Sequence, residues 1–277
     1  NQLPTQKINP IGVFDSGVGG LSVLRAIREL LPSQPVIYLA DQAHVPYGVR
    51  SLEEVRQFSH AVTRYLLMMG CRLIVVACNT ASVAALKSLR EEFLNIPFVG
   101  MEPAVKPAAE QTHSRVVGVL ATYATFQGQM YNSVVERFAQ GVTLLQDHCP
   151  GLVAQIEKGE FNSPTTERIL RNALEPMMEK GVDTVVMGCT HYPFVIPLIK
   201  KITGPDVQVI DPAPAIARQV KRLLENRGWM PPAELAAGVK FITTGDAEEF
   251  SRLLPLFINE NAQVMKVNWS DNPLSIR

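Results

Sequence analysis

Short β-branched runs alternate with longer amphipathic segments along almost the whole chain, and parallel strands joined by crossover helices are the architecture that produces such a pattern. The expected class is α/β. Candidate strands are IGVF from Ile11, PVIYLA from Pro35, LIVVA from Leu73, PFVG from Pro97, VVGVLA from Val116, VTLLQ from Val142, TVVMG from Thr184, VQVID from Val207 and VKFITT from Val239. Segments such as LSVLRAIRELL, LEEVRQFSHAVTRYLLMMG and TTERILRNALEPMMEKG carry helical spacing between them.

A strand, a turn bearing Cys beside Asn or Thr, and a following helix occur twice, in LIVVACNTAS and in TVVMGCTHYP. IGVFDSG opens the first half and VVGVLATYAT takes the corresponding place in the second. The expectation is two similar domains, each a mainly parallel sheet flanked by helices. Residues 1–99 and 211–277 would form the first, and residues 100–210 the second. MEPAV and DPAPA mark the crossings, with the Pro and Ala content of an interdomain hinge. A chain of 277 residues suffices for each domain to bury a core. The site is then expected in the interdomain cleft, at the carboxyl ends of the strands.

Basic and acidic residues balance at 26 each, so no whole-chain field favours nucleic acid or a membrane surface, and a small ligand is expected. No apolar run approaches the roughly 20 residues of a membrane span, and NQLPTQKINP lacks the regions of a signal peptide. A cytoplasmic location is the expectation. Cys71, Cys78, Cys149 and Cys189 form no CxxC pair and stand at no zinc-finger spacing from a histidine, so free thiols and no metal are expected.

Cys78 follows an apolar strand and precedes NTASVAALKSL, a helix for which Asn79 and Thr80 are candidate caps. A thiol at a helix N-terminus is expected to be stabilised as the thiolate, and the same strand end suits a carboxylate ligand. Cys189 repeats the arrangement before THYPFVIPLIKK, where Pro193 suits a helix start and Thr190 and His191 are the polar neighbours. A lone buried cysteine is ordinarily a small core residue, the reading kept for Cys71 and Cys149. Two cysteines at duplicated strand ends reverse it.

DSGVGG, from Asp15 to Gly20, matches neither GxGxxG nor a Walker loop, and an acidic strand end repels phosphate. The preferred reading has Asp15 directing a proton on the cysteine thiol and Ser16 bonding substrate. DQAHVPYG, from Asp41 to Gly48, reads most simply as a solvated loop, with Tyr47 and Gly48 able to approach a ligand. Glu157, by composition alone, reads as an exposed helix carboxylate.

The motifs DSGVGG, PYG, ACNTAS, ATYAT and GCTHYP, in this order and spacing, resemble those of the glutamate racemases within the aspartate and glutamate racemase superfamily, and the match covers almost the whole chain. The resemblance implies interconversion of L- and D-glutamate without cofactor or metal, with D-glutamate destined for peptidoglycan. It implies that Cys78 and Cys189 are the acid/base pair, Cys78 acting on D-glutamate and Cys189 on L-glutamate. Asp15 then partners Cys78, while His191 and Glu157 assist Cys189. Ser16, Tyr47, Gly48, Asn79, Thr80, Thr122 and Thr190 are similar to residues that hold the substrate. The residues ahead of Ile11 resemble the longer start of certain Gram-negative members, some of which a UDP-linked peptidoglycan precursor activates.

Racemisation at a carbon beside a carboxylate gathers two negative charges in the transition state, which preorganised donors in a water-poor cleft must absorb. A thiolate takes the proton from one face while a thiol delivers one to the other. An aspartate racemase needs the same thiols and a pocket one methylene shorter. A two-domain amino-acid binding protein needs no thiols, and a cysteine hydrolase would leave the second matching cysteine unexplained.

Overall fold

The structure is a computed structural model and describes residues 8–259, 261–271 and 274–277. Most of the N-terminal start that prompted the Gram-negative resemblance, residues 1–7, lies outside the described residues. In chain order the strands are β1 (Ile11–Asp15), β2 (Val36–Ala40), β3 (Ile74–Val76), β4 (Phe98–Gly100), β5 (Val116–Ala121) and β6 (Thr143–Asp147). They continue with β7 (Thr184–Gly188), β8 (Gln208–Ile210), β9 (Val239–Thr243), β10 (Val264–Lys266), β11 (Trp269–Asp271) and β12 (Leu274–Ile276).

One sheet has the order β10-β9-β2-β1-β3-β4, the other β6-β5-β7-β8, and every pairing in both is parallel. The run β2-β1-β3-β4 in the first repeats as β6-β5-β7-β8 in the second, so the duplication in the sequence is a duplication of winding. Cys78 follows β3 and Cys189 follows β7, the third strand of each repeat. All nine expected strands form, each end falling within about one residue of the expected one.

Helices cover both faces of the first sheet, which is why its strands are apolar on both sides. Ile11 and Val13 pack with Leu24, Val220 and Leu224 on one face, while Phe14, Ile74 and Val76 pack with Val62, Leu66 and Leu89 on the other. Gly12 lets the second of these layers close down, since a Cβ there would lie 2.9 Å from Ile74, 3.1 Å from Leu66 and 3.2 Å from the Cys71 sulfur. Cys71 is accordingly a packing residue. The Leu52–Met68 helix starts where Ser51 and Glu54 form a reciprocal capping box, and the Pro164–Glu179 helix where Ser163 accepts from the Thr166 amide.

Three strands have no counterpart in the expectations: β10, β11 and β12, each three residues long. Their pattern is too short for a period to register, and β10 sits at a sheet edge with two of its three residues exposed. A second correction concerns THYPFVIPLIKK. A 3₁₀ turn from Tyr192 to Val195 comes first, and the α-helix begins only at Ile196.

Asp183 ties the approach to β7 onto the turn before β5. Its carboxylate accepts from Thr112 Oγ1 at 2.5 Å, the His113 amide at 2.7 Å, the Ser114 amide at 2.8 Å and Thr184 Oγ1 at 3.0 Å. Partial burial raises its pKa, but these bonds outweigh that and lower it to about 2. A carboxylate depressed by folding stabilises the fold above its unfolded pKa and ceases to do so as pH falls toward the folded value. Asp183→Asn is therefore expected to cost about 1 kcal/mol at neutral pH, discounted for its exposure. In urea titrations the gap to wild type should be full at pH 6 and shrink as pH falls below about 4.

Candidate active site

Asp15 closes β1 fully buried, and its carboxylate turns back on its own loop, Oδ2 accepting from the Gly17 amide at 3.2 Å and the Gly20 amide at 3.0 Å. Glu157 Oε1 takes the Val18 amide between them at 2.7 Å. The amides of DSGVGG are thus engaged by the protein's own carboxylates rather than turned out toward a phosphate. A Cβ on Gly17 would overlap the Glu157 carboxylate, and one on Gly19 would overlap the His191 ring. The glycines exist so that these two side chains can lie directly on the loop backbone.

Cys78 is itself the N-cap of the Asn79–Glu92 helix, its sulfur accepting from the Ala81 amide at 3.4 Å. This corrects the expectation that Asn79 or Thr80 would cap. With the thiol in that position, both side chains are released toward the cavity. Thr80 Oγ1 lies 2.8 Å from Thr122 Oγ1, a bond from one sheet's strand ends to the other's. The Asn79 carboxamide is buried with neither its nitrogen nor its oxygen partnered among the described residues.

The expected thiolate at Cys78 is also overturned. Burial and the charge of Asp15 push its pKa well above the ordinary cysteine range, and the Ala81 amide pulls it down too weakly to compensate. Cys78 rests as a neutral thiol. Asp15 is raised as well, first by burial, with His191 and the Gly20 amide opposing.

Cys189 has different support, because the 3₁₀ turn separates it from the following α-helix. His191 Nδ1 lies 3.8 Å from the Cys189 sulfur, and His191 Nε2 lies 2.5 Å from Glu157 Oε1. Burial pulls the imidazole pKa down, but the bonds to Cys189 and Glu157 and the charge of Asp15 prevail and hold it well above the ordinary histidine range. As an imidazolium it donates from both nitrogens. Glu157, which composition alone reads as a solvated helix carboxylate, is half-buried and also accepts from Gln42 Nε2 at 3.2 Å.

One narrow cavity is lined by Cys78, Asn79 and Thr80 from one side and Cys189, Thr190 and His191 from the other. Ser16, Tyr47, Gly48 and Thr122 complete its wall, with room inside for about one water molecule. Asp15 lies behind it, its Oδ1 3.5 Å from Thr190 Oγ1, and Glu157 lies behind His191. Pro46 and Val153 also line the cavity and were missed, having no chemical signal of their own. Cys71 and Cys149 do not reach it: burial raises Cys71 to about 12, and burial with the charge of Asp147 pushes Cys149 up too.

Two similarly wound α/β sheets that meet at their carboxyl ends, with a cysteine and a titratable partner on each side of one cavity, define a racemase. The chain belongs to the Asp/Glu/Hydantoin racemase family, whose model matches residues 11–220. It is 49% identical over 250 residues to a glutamate racemase from Roseiflexus sp. strain RS-1, covering 90% of this chain and 92% of that one. The crystal structure of glutamate racemase isoform RacE1 from Bacillus anthracis superposes with a TM-score of 0.86 at 32% identity, covering 95% of this chain and 98% of that one. The Escherichia coli glutamate racemase, solved with L-glutamate and the activator UDP-MurNAc-ala, superposes with a TM-score of 0.82 at 31% identity, covering 97% of this chain and 99% of that one.

The glycine cradle predicts the behaviour of the imidazole. In Gly19→Ala the ring must leave the loop and its place against Glu157, so its NMR titration should drop from well above 6.5 toward that ordinary value. An unshifted titration would show that the cradle does not hold the ion pair. Gly70→Ala is the control, since its φ of +90° and open surroundings predict a stability cost of about 1 kcal/mol with the imidazole unchanged.

Proposed function

We propose that this protein interconverts L-glutamate and D-glutamate, with Cys78 and Cys189 as the acid/base pair on opposite faces of the α-carbon. The observation that carries the reading is one cavity lined by both thiols, at equivalent positions of a duplicated sheet. The nearby relatives named glutamate racemase support glutamate as the substrate.

The two faces are unequally prepared. On one side stands a neutral Cys78 thiol, ready to deliver a proton. On the other, His191 as an imidazolium stands beside Cys189 and supplies a positive charge near the sulfur that receives one. In that direction Cys189 removes the α-proton and Cys78 protonates the opposite face, which is L to D in the assignment the resemblance implies. In the reverse direction the roles exchange, with Asp15 taking up the partnering of Cys78. No net proton is gained or lost.

The developing carbanion sits next to a carboxylate, so the cavity must supply donors. The unpartnered Asn79 carboxamide, the hydroxyls of Ser16, Thr80, Thr122 and Thr190, and the backbone at Tyr47 and Gly48 are the groups we assign to holding the substrate. Glutamate enters only when the two sets of strand ends part, because the cavity as described accommodates about one water. We divide the chain accordingly into a first domain of residues 1–99 and 211–277 and a second of residues 100–210.

We further propose that the D-glutamate feeds peptidoglycan synthesis in the cytoplasm, consistent with the finding that no helix among the described residues is long and apolar enough to cross a membrane. A UDP-linked peptidoglycan precursor is proposed as an activator, by extension from the complex of the E. coli relative.

Chiral analysis of L-glutamate incubated with the protein tests the reading, alone and with the UDP-linked precursor, with L-aspartate in parallel. D-glutamate should accumulate to an equal mixture. Cys78→Ser and Cys189→Ser should each lower turnover by about a hundred- to ten-thousand-fold, the scale of a lost acid or base. Cys71→Ser and Cys149→Ser should stay within a few-fold of wild type. Wild-type turnover in either cavity variant would refute the two-thiol assignment.

A further inference from the structure

Asp41 directly follows β2 in the loop that reads most simply as solvated, yet it has no solvent exposure at all. Four side chains, two from its own loop and two from far along the chain, converge on its carboxylate. Oδ2 accepts from Tyr47 Oη at 2.6 Å and His44 Nδ1 at 2.9 Å, while Oδ1 accepts from Thr244 Oγ1 and Trp269 Nε1, each at 2.7 Å. Of these donors only Tyr47 lines the cavity. Trp269 belongs to β11, in the C-terminal hairpin, 228 residues from Asp41 in the chain.

We propose that Asp41 and Trp269 are positioning residues for substrate binding, acting through Tyr47: the C-terminal hairpin holds the Asp41 carboxylate, and the carboxylate holds the Tyr47–Gly48 wall of the cavity. The inference rests on the racemase reading and adds to it a part for a segment that lies far from the thiols in sequence. Its physical basis is exclusivity. A buried carboxylate must have its acceptor sites filled, and here they are filled from two directions at once. The Tyr47 hydroxyl is committed to Asp41, so the phenol cannot swing away without leaving that carboxylate short of a donor.

The wall is closely fitted. A Cβ on Gly48 would lie 2.6 Å from the Thr122 Cβ, so the turn that Tyr47 anchors abuts the opposite sheet with no slack. The hairpin side is equally well packed, with the His44 ring stacked on Phe58 at 3.9 Å between centroids and the Trp269 indole edge-on to His44 at 5.0 Å. Trp269→Phe keeps an aromatic ring in that packing while deleting the N–H and part of the indole surface, so its melting temperature is read beside its KM.

A wall residue that binds ground state and transition state alike changes KM and leaves kcat. Trp269→Phe should therefore raise KM about five- to tenfold for both enantiomers, with kcat within about twofold of wild type. Tyr47→Phe should raise KM as well. The deciding measurement is the double variant: if Trp269 acts through Asp41 and Tyr47, then Tyr47→Phe/Trp269→Phe is no worse than Tyr47→Phe alone. Multiplying effects, an unchanged KM in Trp269→Phe, or a loss confined to kcat would each overturn the inference while leaving the racemase reading intact. A merely structural role would lower the melting temperature without this KM pattern. A wild-type protein that racemises nothing in the same assay would overturn the reading and the inference together.

Discussion

The bonds between the two sets of strand ends are what the rest of the structure serves. Thr80 meets Thr122, Ser22 Oγ donates to the Thr190 carbonyl at 2.8 Å, and Glu157 reaches from the second sheet to the Val18 amide and Gln42 of the first. Each joins a loop or helix end of one repeat to a loop or helix end of the other. These contacts bring Cys78 and Cys189 to one cavity, bury Asp15 and His191, and keep the space narrow, with room for about one water molecule. The parallel sheets behind them are scaffolding whose winding is repeated so that equivalent strand ends come face to face.

The symmetry is one of backbone rather than of chemistry. Cys78 caps an α-helix, has a buried carboxylate for a partner and rests protonated. Cys189 precedes a 3₁₀ turn and has an imidazolium braced by Glu157. The proposed reaction, which moves a proton across one carbon, calls for one side to be loaded and the other empty at the start of each turnover. Two identical sides would have no resting preference. Burial of Asp15 next to Cys78 and of an ion pair next to Cys189 makes the surroundings of the two sulfurs differ, with groups that also help to close the interface.

Much of this was legible in the sequence, and the parts that were not share a cause. Alternating apolar and amphipathic runs, together with the Cys-containing strand ends, are local patterns, and they led to the two sheets, while the motif resemblance supplied the set of residues proposed to hold the substrate. What escaped depends on neighbours distant in the chain. The helix terminus at Cys78 argues for a thiolate until burial and Asp15 are added, and those two outweigh a single amide. Glu157 looks like any helix carboxylate because the glycines that admit it lie about 140 residues earlier. Asp41 reads as loop polarity because two of its donors, Thr244 and Trp269, come from the other end of the chain. The three C-terminal strands are too short to show a period.

Isotope transfer in heavy water is the most direct test of two bases on opposite faces. L-glutamate incubated with the protein in D₂O and sampled at low conversion should yield D-glutamate carrying deuterium at the α-carbon, while the remaining L-glutamate keeps its hydrogen. That outcome requires the base that removes the proton to differ from the acid that returns one. Product that retains the substrate's own hydrogen, or deuterium entering L-glutamate as fast as D-glutamate forms, would mean that a single group serves both faces and would contradict the account.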